Sequence, residues 1–137
     1  MKAIVAALVS LLLVGCASVY RQDGIASFDT SKIAVIESSP CKNDQCLIIQ
    51  EIDGKWRGPG WFKRYELLPG TRKLKLVYVA PGTRGKNAVL IEFNAQPGGT
   101  YVVRENANYS TMKWNPEIVD VATQQVVSKQ VGTASTY

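Results

Sequence analysis

Turn signals come at close intervals along this chain, and the segments between them are of strand length. Asp53-Gly54, Gly58-Pro59-Gly60, Pro69-Gly70, the polar run Pro81–Asn87 and Gln96-Pro97-Gly98-Gly99 all fall within residues 53–99. Asp-Gly between extended residues favours a tight hairpin, because both turn positions want positive φ. In Pro-Gly, proline presets φ at one position and glycine takes the positive value at the next. Between these breaks the residues alternate or are β-branched, as strands require. The readings are Lys32–Glu37, Leu47–Ile52, a return starting at Lys55-Trp56-Arg57, Lys63–Leu68, Arg72–Ala80, Ala88–Ala95 and Thr100–Glu105. Arg72–Ala80 has the clearest pattern. Leu74, Leu76 and Tyr78 share one face, and Lys73 and Lys75 give way to Val77 and Val79 on the other. That outer face should be wet at its start and covered at its far end.

The last stretch reads two ways. Asn115-Pro116-Glu117 has the form of a helix start, whereas Ile118, Val119, Val121, Thr123, Val126, Val127 and Val131 favour strands. The strand reading places Glu117–Ala122 and Val126–Gln130 on either side of a turn at Thr123-Gln124-Gln125. Residues 132–137 read as a loose tail. Short strands with turns this frequent suggest a sandwich or a barrel. The expectation is an all-β fold, a small antiparallel β-sandwich of about eight short strands over residues 32–131.

The amino end is of a different kind. Lys2 precedes an uncharged apolar run, Ala3–Val14, and Gly15-Cys16 follows. A basic start, a short apolar core and small residues before a cut site make a secretory signal. A membrane span needs roughly 20 apolar residues, and this run is shorter. Leu13-Val14-Gly15-Cys16 resembles the lipobox of bacterial lipoproteins. The resemblance implies that residues 1–15 are removed as a signal peptide and that Cys16 carries diacylglycerol and palmitate. A single acyl chain holds a protein only marginally, so several are needed for lasting attachment. Ala17, where the family's inner-membrane members carry Asp, implies the periplasmic side of the outer membrane. Residues 16–31 mix polar, charged and glycine residues without a period, and read as a lipidated terminus and flexible tether. Such a tether would span about 20 Å and let the domain stand just off the membrane.

The chain of 137 residues carries 16 Lys and Arg against 11 Asp and Glu, a net charge of +5. Loss of Lys2 with the leader leaves +4. A mature length of 122 residues fits one domain with a real core. Nine of the basic residues lie between Lys55 and Lys86, where Glu66 is the single acid, so that window carries +8. Trp56, Trp61, Phe62 and Tyr65 are interleaved. Lys55, Trp56, Arg57, Trp61, Lys63, Arg64, Arg72, Lys73 and Lys75 thus form a candidate face for an anionic ligand or a partner. The competing reading takes them as ordinary solvent faces of strands, with edge lysines blocking aggregation. Trp61 and Phe62, beside the Gly58-Pro59-Gly60 loop, read either as an exposed tip or as folding back over the core, and the core reading is preferred. A periplasmic address argues against nucleic acid as a partner.

Three cysteines are present. With Cys16 spent on lipid, Cys41 and Cys46 remain, and an even remainder in a secreted chain should pair. Asn43-Asp44 suits the turn between them. The spacing is wider than the Cys-x-x-Cys of redox pairs. There is no His, so His-based triads are excluded and the commonest general base is lacking. No metal or cofactor is expected. Glu51/Asp53 and Glu117/Asp120 are the carboxylate pairs in the sequence, and a dyad can do glycosidase chemistry. Asp53 is better explained as a turn residue.

Ile52-Asp53-Gly54-Lys55, then Leu67-Leu68-Pro69-Gly70 and an alternating strand, resembles PEGA-type modules over roughly residues 47–99. The Gly58–Phe62 insert and the strands after Thr100 depart from that pattern. The resemblance implies a binding or scaffolding module and transfers no catalytic residue. Together these features suggest a non-catalytic outer-membrane lipoprotein that docks another envelope protein. The alternative is a binder of anionic glycan or lipid, such as peptidoglycan or lipopolysaccharide, through the segment Lys55–Lys86. An enzyme or an enzyme inhibitor is the third reading.

Overall fold

The computed structural model describes residues 19–26, 29–38, 41–42, 45–80, 83–84, 87–108, 111 and 113–135. The leader, Cys16, the Asn43-Asp44 turn and Lys86 lie outside them.

Every regular element among the described residues is a strand. Eight have four or more residues: β2 (Ala34–Glu37), β4 (Gln45–Ile52), β6 (Arg64–Leu67), β7 (Gly70–Ala80), β9 (Asn87–Ala95), β10 (Thr100–Arg104), β13 (Glu117–Asp120) and β14 (Ser128–Ser135). Shorter pieces are β1 (Val19–Arg21), β3 (Cys41–Lys42), β5 (Lys55–Trp56), β8 (Thr83–Arg84), β11 (Ala107–Asn108) and β12 (Lys113–Trp114). Two sheets face each other, as the sequence predicted. The first has the order β1-β6-β2-β10-β13, and the second β14-β9-β7-β4-β3, with β5 added beside β4 and β8 beside β7. β11 and β12 form a small separate hairpin.

The second sheet is antiparallel throughout. In the first, β1 lies parallel to β6 and β2 parallel to β10. The cause is the route of the chain. β2 hands over to β3 and β4, β6 to β7, and β9 to β10, so the chain repeatedly changes sheet. Spatial neighbours in the first sheet are therefore not sequence neighbours, and hairpin geometry does not set their direction.

The core lies between the sheets. Leu74 and Leu76 of β7 and Val89, Ile91 and Phe93 of β9 face Ala34, Ile36, Tyr65, Leu67, Tyr101 and Ile118 across it. Each such large apolar side chain removed from water stabilises the fold by about 1.5–3 kcal/mol. In β4, strict alternation cannot put both Ile49 and Ile52 inside, since they are three apart. A bulge between Ile49 and Glu51 supplies the extra residue. Ile49 then opposes Leu76 and Ile52 opposes Leu74, and both isoleucines are fully buried. The same bulge moves Glu51 opposite Lys75 on the outer face.

Several sequence expectations are corrected. The tether does not extend to residue 31, because Val19–Arg21 forms an edge strand on β6. Gln22 continues that attachment. Its N–H donates to the Glu66 carbonyl at 2.9 Å, and its side-chain oxygen accepts from the Leu68 N–H at 2.9 Å. Three paired residues are too few to show a period. The loose tail is also corrected. β14 runs to Ser135, with Gly132, Thr133, Ala134 and Ser135 paired to Leu90, Val89, Ala88 and Asn87. Small residues suit this stretch because β9 supplies the apolar bulk. Of Val126–Gln130, Ser128–Gln130 is strand, while Val126 makes an isolated bridge to Val119. The helix alternative after Asn115 fails. Pro116 is buried and Glu117–Asp120 pairs with β10. The Asn106–Met112 loop and the Pro81–Asn87 connection each contain a short paired strand. Val77, at the far end of the outer face of β7, is buried as that pattern required.

Candidate functional site

Among the described residues, the basic and aromatic side chains of the 55–86 window do not form one uncompensated cationic face. Folding brings carboxylates against Lys55, Arg64, Arg72 and Lys75. Lys55, at the hairpin, pairs with Asp23, and this contact raises the pKa of the lysine. Arg72 Nη1 lies 2.7 Å from Asp53 Oδ2, while Asp53 Oδ1 accepts the Lys73 N–H at 2.9 Å. Asp53 is thus a turn residue with φ of 52°, held by its neighbours and by Gln22 Nε2 at 3.0 Å. Glu51 is engaged separately. Its Oε1 lies 3.1 Å from Lys75 Nζ, and the Lys75 side chain is only 7% exposed. Lys75 was expected in solvent but is covered, and the bulge in β4 sets Glu51 across from it. Burial of the Lys75 charge is tolerated here because Glu51, still partly in solvent, stands directly across the ladder.

A second network spans the edge of the first sheet. Arg64 Nη1 reaches Glu37 Oε1 at 2.8 Å and Arg64 Nε reaches Glu66 Oε1 at 3.3 Å. Arg21 Nε reaches Glu66 Oε2 at 2.6 Å. The hydrogen bond from Arg21 is the largest influence holding the Glu66 carboxyl below its ordinary value. Burial opposes the shift and Arg64 adds to it. Arg57 serves the Gly58-Pro59-Gly60 loop. Its Nη1 donates to the Gly60 carbonyl at 2.5 Å, and its guanidinium lies 4.9 Å from the centre of the Phe62 ring.

The two aromatics of that loop part company. Phe62 folds back, packing edge-on against Tyr20 and Tyr65 with ring centres 5.8 and 5.9 Å away. Burial pushes the Tyr65 hydroxyl up to about 12. Trp61 does not fold back and is 55% exposed; Trp56, on β5, is 61% exposed. Of the nine window residues named from sequence, only Trp56, Trp61, Lys63 and Lys73 present exposed side chains free of a carboxylate contact among the described residues. Lys63 immediately precedes Arg64, the register partner of Val19 at the start of β1, and Trp61 lies two residues before Lys63. A hollow of about 340 Å³ opens next to Lys63, lined also by Glu37, Ser38, Val102 and Val103.

A second feature went unnoticed in the sequence because its residues read simply as strand. Val121, Val126, Val127 and Val131 are exposed along the β13–β14 border. Val126 and Val127 also line a groove of about 330 Å³ with Phe93 and Lys129. The signal available in sequence was the excess of valines over the number of inward positions on two short strands.

Cys41 and Cys46 are register partners on β3 and β4 and form a disulfide, as expected from their count. Among the described residues, no three His, Cys, Asp or Glu side chains converge in a way that could hold a metal ion. The arrangement offers charge networks that lock the sheets and two exposed apolar or aromatic patches. Comparison with protein-family models, with curated proteins and with solved structures found no match for this chain.

Proposed function

We propose that this chain is a lipid-anchored envelope protein of the outer membrane, facing the periplasm, whose β-sandwich is a non-catalytic module that docks another envelope protein. The anchoring part rests on Leu13-Val14-Gly15-Cys16 at the end of an apolar run. The observation that carries the docking part is the row of exposed valines at 121, 126, 127 and 131. Single exposed apolar residues are ordinary, but Val126 and Val127 line one groove together and Val121 and Val131 are exposed on the same stretch of chain, an apolar display of the kind that partners cover. The border is framed by ordered backbone. Asp120 N–H donates to the Gln125 carbonyl and Val127 N–H to the Ile118 carbonyl, both at 2.9 Å, so the patch is presented on a fixed scaffold. A partner would pay little to order it.

The test is chemical crosslinking of the full-length protein in its native membranes, followed by mild detergent extraction and gel filtration. A specific adduct should form and should be lost in Val127→Asp and Val131→Asp, both exposed positions where the fold tolerates charge. A protein that stays solitary, or an adduct indifferent to these substitutions, counts against the docking module.

A further inference from the structure

The most consequential fact for such a protein is how little chain separates the proposed anchor from the folded body. Resting on the reading that Cys16 carries lipid, we infer that the end of the sandwich where β1 begins is a lipid-contacting pole, held against the phosphate-bearing headgroups of the bilayer by Trp61 and Lys63. Only Ala17 and Ser18 lie between Cys16 and Val19. Three residue steps span at most about 10 Å, whatever their conformation. β1 is paired to β6 and cannot be paid out to lengthen the leash. The domain therefore cannot stand off from the surface by a 20 Å tether; the pole that carries Val19 must lie at the headgroups.

What that pole displays fits a lipid surface. Val19 pairs with Arg64, and the residues just before Arg64 are Trp61, Phe62 and Lys63. Phe62 packs on Tyr20, so the 57–63 loop is pinned beside β1. Trp61 is left outward at 55% exposure, and Lys63 is exposed with no carboxylate partner among the described residues. An indole is the side chain favoured at the level of headgroups, with an apolar body and a polar edge. A lysine held within about 10 Å of the membrane plane is close to one Debye length from anionic phosphates, where attraction is still felt. The acidic side chains Asp29, Asp53 and Asp120 sit on or beside turns at the opposite ends of the strands. Asp53 forms the hairpin beyond β4, Asp29 precedes β2, and the residue after Asp120 bonds to the first residue of β10. Of the acids at the pole itself, Glu37 is paired with Arg64 and Glu117 with Arg104, which offsets their charge beside a surface of the same sign. Trp56 supplies an internal control. It stands opposite Glu51, five residues along β4 from Cys46, which is about 15 Å from the membrane-facing end of that strand.

The experiment uses the full-length protein, expressed with its leader, purified from membranes and reconstituted in vesicles of phosphatidylglycerol and brominated phosphatidylcholine. Bromine on the acyl chains quenches tryptophan at the interface. In a Trp114→Phe background, which removes the third tryptophan, emission should be quenched, Trp61→Phe should lose the larger share of that quenching, and Trp56→Phe should keep it. Replacing phosphatidylglycerol by neutral lipid should reduce quenching of the wild type and leave Lys63→Gln unchanged. Intact mass decides the two levels separately. A lipidated Cys16 with no quenching at Trp61 overturns the contact pole while the anchor stands; that is also the outcome if the pole meets a protein instead. Quenching insensitive to lipid charge removes Lys63 from the contact. A bare Cys16 with the leader attached overturns the anchor and the pole together.

Discussion

Gly99→Ala tests how tightly the crossing between the sheets is packed. Gly99 lies between β9 and β10, where its N–H donates to the Gln96 carbonyl at 3.0 Å and its carbonyl accepts from the Val35 N–H at 2.9 Å. A Cβ added here would stand 2.5 Å from the Tyr101 hydroxyl and 2.8 Å from two of its ring carbons. Real Cβ atoms do not approach so closely, so the ring has to move. It has nowhere to go. Tyr101 is 1% exposed, its ring packs edge-on to Phe93 at 5.1 Å, and its hydroxyl accepts the Gln96 N–H at 2.9 Å. Overpacking strain of this type costs about 1–3 kcal/mol. Displacing the ring adds the lost hydrogen bond, about 1 kcal/mol, and part of the aromatic pair, about 0.5–1.5 kcal/mol. The expected loss is about 3–4 kcal/mol. For a domain of this size each kcal/mol lowers Tm by roughly 3–5 °C, so the fall is about 10–15 °C. Urea unfolding followed by circular dichroism reads the loss, with thermal melts as the second measure. Tyr101→Phe in the Gly99→Ala background removes the nearest atom but leaves the ring carbons in the way. The double variant should therefore be about 1 kcal/mol more stable than the sum of the single effects predicts. A Gly99→Ala protein unfolding at the wild-type midpoint would refute the reasoning.

Glu66 gives a pH prediction. Its folded pKa is depressed below the ordinary 4.5, chiefly by Arg21. The stability it contributes is present above the unfolded pKa and is lost as pH falls through the lower folded value. Glu66→Gln should cost about 1–2 kcal/mol at neutral pH and flatten the decline in stability below about pH 4.5, measured by urea titrations across that range. A stop codon after Gln130 removes the ladder from Gly132 to Ser135 and bares the edge of β9. It should destabilise the domain by about 2–4 kcal/mol and promote aggregation, seen by light scattering during thermal melts. Unchanged stability would mean that these residues are the loose end their composition suggested.

Most of the strand positions were legible because strand formation is largely a local matter. Leu74, Leu76 and Tyr78 alternate with Lys73, Lys75 and Val77, and Asp53-Gly54 turns wherever extended residues flank it. The charge partners were not legible for the opposite reason. Counting residues 55–86 gives +8, yet the partners that neutralise Lys55 and Arg64 come from Asp23 and Glu37, 32 and 27 residues away. Nothing in local spacing points to them. The bulge that sets Glu51 opposite Lys75 likewise follows from placing Ile49 and Ile52 on Leu76 and Leu74 together.

By itself the sequence determined an all-β body, its hairpin at Asp53-Gly54 and the pairing of Cys41 with Cys46. These depend on backbone preferences and side-chain identity over a few residues. Only the tertiary structure decided that Val19–Arg21 is a strand rather than slack, that β14 continues to Ser135, that two ladders run parallel, and that Trp61 faces outward while Phe62 turns in. Each of those outcomes is fixed by what packs or pairs across the sandwich, and such contacts join residues whose separation along the chain carries no periodic trace.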